Sequence, residues 1–103
     1  MITYSFISKD ELMTIEVKGH ANYADEGYDI VCNSVSMACQ ITVNTIYNIE
    51  QTRYNIVDVE NEKGYFKLDV KVTDDVTKGI IETLKETLQM ISTQYPRFVK
   101  MKK

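Results

Sequence analysis

Twice along this chain a hydrophobic period of two gives way to a period of 3.6, and few folds accommodate that order. Ile2, Tyr4 and Phe6 alternate with Thr3 and Ser5, Lys9-Asp10-Glu11 makes a polar turn, and Met13, Ile15 and Val17 alternate with Thr14 and Glu16. This pattern predicts a β-hairpin with one buried face. From Asp29 the spacing becomes helical: Val31, Val35, Ala38, Thr42, Ile46 and Ile49 recur at intervals of three and four. Asp29 is a good N-cap, because its carboxylate accepts from the unpaired N–H groups of a first turn. The β-branched run around Ile41 to Ile46 disfavours helix mildly. The stretch to Glu50 is nevertheless too long for one strand and lacks turn residues.

The second round begins at Tyr54. One arm runs to Glu60, Asn61-Glu62-Lys63-Gly64 forms the turn, and Phe66, Leu68, Val70 and Val72 face inward on the return arm. Thr73-Asp74-Asp75 then opens a helix with carboxylates at its positive end. Val76, Ile80, Leu84, Leu88 and Ile91 form its expected buried stripe, and Tyr95-Pro96 stops it, with Phe98-Val99 as a short extension. The order ββαββα predicts an α+β fold: one domain over residues 1–103, an antiparallel sheet packed with two helices.

At 103 residues the chain suits one core and not two. Its 26% charged residues leave a formal charge of -3, which disfavours direct nucleic acid binding and suits a basic partner. Met1 runs straight into the first strand, leaving no room for a signal peptide, and the apolar runs are too short to cross a membrane. A cytoplasmic location is the resulting expectation. Cys32 and Cys39, seven residues apart on one helix, would be separated by about 10.5 Å. A disulfide needs Cα atoms within about 7 Å, so both thiols are expected to stay free.

Chemistry concentrates between Gly19 and Ser36. With Asp29 as the cap, Cys32 is the third helical residue, where free N–H groups and the helix dipole favour thiolate over thiol. His20, the only histidine, is the one nearby side chain able to partner that sulfur and then protonate a leaving amine. A Cys/His pair needs no strict third member. Two roles compete for Asp29: capping the helix, or orienting His20. Ser36 lies one turn past Cys32, so its hydroxyl faces the sulfur or a substrate carbonyl. The helix N–H groups are expected to receive an oxyanion. Gly19 and Gly27 bracket a loop able to swing over a substrate, and Tyr23 and Tyr28 on it are expected to line a substrate pocket. Each residue also has a plainer role: filler, cap, turn or small helix residue. Cys39 is best explained as core, on the packed side of the helix. One His and two Cys at this spacing are too few ligands for a metal, and nothing calls for a cofactor.

The run GHANYADEGYDIVCNSVS, residues 19–36, closely resembles the signature of the ribosomal-processing cysteine proteases of bacteria. Those proteins carry Gly-His-Ala, an aromatic-Ala step, Gly-x-Asp-Ile-Val-Cys, and a Ser four residues past the Cys. The length, the element order and the Tyr95-Pro96 ending also look like the family. The sequence departs from it at Asn33-Ser34, where small apolar residues are usual. The resemblance implies a homodimeric cytoplasmic endopeptidase. Its substrate would be the precursor of the twenty-seventh large-subunit ribosomal protein, cut after an aromatic pair to release an N-terminal extension. Cys32 matches the nucleophile, His20 the general base, and Asp29 and Ser36 supporting positions. Two other classes compete. A non-catalytic ribosome-associated binding module needs a basic face, which the charge balance opposes. A thiol redox domain needs a resolving cysteine nearby.

Overall fold

The computed structural model describes residues 1–25 and 29–102. Strands β1 (Ile2–Lys9) and β2 (Leu12–Gly19) form the first hairpin, joined by Asp10 and Glu11. Helix α1 (Ile30–Asn48) follows, then the single turn α2 (Glu50–Arg53). Strands β3 (Ile56–Glu62) and β4 (Tyr65–Lys71), helix α3 (Asp75–Gln94) and a three-residue strand β5 (Val99–Met101) complete the chain. The sheet order is β3-β4-β2-β1-β5.

The expected α+β architecture is present, with two additions. The extension after Pro96 becomes β5 and pairs parallel to β1, Ile2 opposite Val99, so the sheet is mixed and not wholly antiparallel. The first helix stops at Asn48, because Ile49 is extended (φ -94°, ψ 120°). The buried hydroxyl of Thr52 donates to the carbonyl of Ile46 at 2.7 Å, satisfying an acceptor left open at that helix end.

One core holds these elements together. Ile2, Tyr4, Ile15, Val17, Phe66, Leu68 and Val70 come from one sheet face. Val31, Val35, Cys39 and Ile46 of α1 meet them, with Ile81, Leu84 and Leu88 of α3. The stripe of α3 is rotated from expectation at its start: Val76 is exposed and Thr77 fully buried. Thr77 is held there by polar partners. Its N–H donates to Asp74 Oδ1 at 2.7 Å, and its hydroxyl oxygen accepts from the Asn55 amide at 3.0 Å. A threonine so satisfied can occupy a core position.

The second hairpin turn is tighter than expected. Glu62 pairs with Tyr65, so Lys63 and Gly64 alone reverse the chain, with Gly64 at φ +80°. Its carbonyl accepts from the Gly19 N–H at 2.9 Å, bringing this turn beside the end of β2 and so beside His20. Gly19 has φ +107°, and a Cβ there would collide with the Met1 carbonyl oxygen. The Gly19 requirement is therefore a close backbone approach as well as a conformational one.

Candidate active site

Asp29 organises the start of α1. Its Oδ1 accepts from the N–H groups of Val31 (3.0 Å) and Cys32 (2.9 Å), and its Oδ2 accepts from Tyr23 N–H at 3.0 Å. The residue is 7% exposed. Burial by itself acts to raise its pKa, but donation from the Cys32, Tyr23 and Ala24 N–H groups outweighs this and holds the carboxyl below its usual range. Of the two competing roles, the geometry supplies the cap. The carboxylate also ties the loop after β2 to the helix.

Cys32 is the third residue of α1, half-buried, with a free thiol. Its Sγ accepts from the N–H of Ala21 at 3.2 Å. The expectation that first-turn N–H groups receive an oxyanion is corrected here, since those of Val31 and Cys32 are taken by Asp29. The donor aimed at the sulfur comes from the loop, a residue that sequence reasoning passed over because an alanine carries no chemistry of its own. Cys39, two turns on, is 3% exposed, and burial pushes its thiol up to about 12.

His20 follows the end of β2 and is exposed. Its carbonyl accepts from the Met1 α-ammonium at 2.6 Å, and its ring lies against Gly64. The imidazole and the Cys32 side chain line one cleft of about 670 Å³, within the usual range for a ligand site. Cys32, Val35, Ser36 and Cys39 line it at helical spacing, together with Asn61 to Tyr65. Ser36 and Asp29 both reach this cleft.

Tyr23 does not line it. Its ring packs edge to face on Tyr95 (5.6 Å) and Phe98 (5.2 Å), so it is an anchor of the loop and not a pocket wall. Gly27 and Tyr28 lie outside the described residues. Among the described residues no three His, Cys, Asp or Glu side chains converge to hold a metal ion, and no helix is long and apolar enough to cross a membrane.

A half-buried thiol at a helix start, sharing a cleft with an imidazole, is equipment for thiol-based acyl transfer. The chain is also similar to known cysteine proteases. The chain is 29% identical to the ribosomal processing cysteine protease Prp of Staphylococcus aureus, over 98% of this chain and 97% of that one. The crystal structure of S. aureus Prp with a covalently linked product peptide superposes with a TM-score of 0.84 at 26% identity, covering 98% of this chain and 97% of that one. The same protease with a substrate peptide gives 0.79 at 25% identity, covering 99% and 98%. The model of the cysteine protease Prp family matches residues 1–100, and this chain belongs to that family of cysteine proteases.

Proposed function

We propose that this cysteine protease cleaves a ribosomal protein precursor, with Cys32 as nucleophile and His20 as general base and acid. The observation that carries the reading is the shared cleft: the only imidazole of the chain and a thiol at the start of a helix line the same cavity. The Cys32 thiolate attacks the scissile carbonyl carbon, and the carbonyl oxygen takes the negative charge. The Ala21 N–H, already 3.2 Å from Sγ, is placed to donate to that oxyanion. The C–N bond then breaks as His20 gives its proton to the leaving amine. Water, deprotonated by His20, attacks the thioester and releases the acid and the free thiol. Asp29 supports the site by holding loop and helix together, and Ser36 by offering its hydroxyl along the cleft.

The likeness to S. aureus Prp, named as a ribosomal processing protease, supports a ribosomal protein substrate. The proposed substrate is the precursor of the twenty-seventh large-subunit protein, cut after an aromatic pair in its N-terminal extension. The proposed enzyme is a cytoplasmic homodimer without a direct nucleic acid role. The acidic balance of -3 suits a basic ribosomal substrate. The loop that carries His20 is proposed to swing over the bound peptide, with the Ala21 N–H turning from the sulfur to the oxyanion. The test is incubation of the purified protein with the extended precursor, read by mass spectrometry. Cleavage at the aromatic pair by the native chain, absent in Cys32→Ala and His20→Ala, is expected. Cleavage retained in Cys32→Ala would overturn the reading.

A further inference from the structure

The β3–β4 turn does more than reverse the chain. A Cβ built on Gly64 would stand 2.6 Å from Nε2 of His20 and 2.9 Å from Cε1, where 3.4–4 Å is ordinary contact. The turn is also fixed to the end of the strand that leads into His20, through the Gly19 N–H bond to the Gly64 carbonyl. We propose that Gly64 is a positioning residue for the reaction: the missing side chain at this place seats the imidazole of His20 against the turn, in the cleft with Cys32. The proposal rests on His20 being the general base.

The consequence is a separation of activity from stability. His20 is exposed, so its ring can yield to a new methyl group by moving, without disturbing the core. The movement needed to restore ordinary contact is on the order of 1 Å, and a displacement of that size in catalytic geometry costs roughly 10²-fold in rate. A competing explanation is that φ +80° alone demands glycine. Asparagine separates the two, because it tolerates left-handed backbone yet still carries a Cβ.

The experiment compares wild type, Gly64→Ala and Gly64→Asn by precursor cleavage, thermal unfolding and proton NMR of the single histidine. Both variants are expected to lose roughly 10²-fold in kcat with a smaller change in KM, and to shift the imidazole resonances. In the wild type, an Overhauser effect between the imidazole protons and Gly64 Hα is expected, a measurement that needs no variant. Wild-type activity in both variants, or in Gly64→Asn alone, would overturn the proposal. So would absence of that Overhauser effect. Cleavage that survives Cys32→Ala would instead sink the catalytic reading, and the NMR result would still decide whether Gly64 places the ring.

Discussion

The carboxylate of Asp29 and the backbone N–H of Cys32 stand 2.9 Å apart, so the group that starts the helix also sets the position of the candidate nucleophile. The same carboxylate reaches Tyr23 N–H at 3.0 Å, which makes helix start and loop one hydrogen-bonded unit. Asp29→Ala is expected to cost about 1–2 kcal/mol as a lost cap. Its folded carboxyl is held below the usual range, so its stabilisation is present above about pH 4 and is lost as pH falls through the lower folded value. Urea midpoints measured from pH 7 to pH 2 should therefore fall less steeply for Asp29→Asn than for the wild type.

The two thiols should differ sharply in reactivity. Cys32 is half-buried, whereas Cys39, deeper on the same helix face, is 3% exposed with its thiol pushed up to about 12. A thiol alkylator at pH 7 should add once to the native protein and twice to the unfolded one, as intact mass will show. The single native adduct should map to Cys32 and abolish cleavage. Cys39→Ser should cost about 1–3 kcal/mol by burying a hydroxyl in place of sulfur. A native adduct on Cys39 would contradict this arrangement.

On the open sheet face the Tyr65 hydroxyl donates to Glu16 at 2.9 Å. That bond, with burial and the nearby carboxylates, pushes the phenol up to about 12. The same bond, helped by Lys18 and against the effect of burial, holds the Glu16 carboxyl below its usual range. A raised folded pKa means that the folded state keeps a proton the unfolded chain has lost. The stabilisation is thus complete below about pH 10 and disappears as pH rises toward 12. Tyr65→Phe should flatten the loss of stability over that window, and should remove a late-titrating phenol seen by absorbance at 295 nm.

Tyr23 ties the loop to the end of the chain through Tyr95 and Phe98. Each edge-to-face pair contributes about 0.5–1.5 kcal/mol beyond area burial. Tyr23→Ala should lower the melting temperature and speed amide hydrogen exchange at Ala21 to Asp25, without changing exchange in β4. Unchanged exchange in the loop would show that Tyr23 does not anchor it.

Local chemistry was legible before any coordinates. Alternation in Phe66, Leu68 and Val70 marked a strand with one buried face, and those three residues are core. Asp29 was identifiable as a cap from its place before a helical period, which put Cys32 at the third helical position. Cys39 fell on the packed face by spacing alone. These features depend on residues within a few positions of one another, where helix and strand geometry dictate who meets whom.

What the chain could not disclose by itself were meetings between distant segments. Tyr23 looked like a pocket residue until Tyr95 and Phe98, more than seventy positions away, proved to hold it. Gly64 looked like a turn residue until the sheet order placed it beside His20. β5 found β1 as a parallel partner although nothing in three residues specifies an edge. Sequence periodicity determines which side of an element is apolar, and capping chemistry determines where it starts. Which elements then become neighbours is settled by closing one core over all of them, and the cleft shared by His20 and Cys32 exists only after that closure.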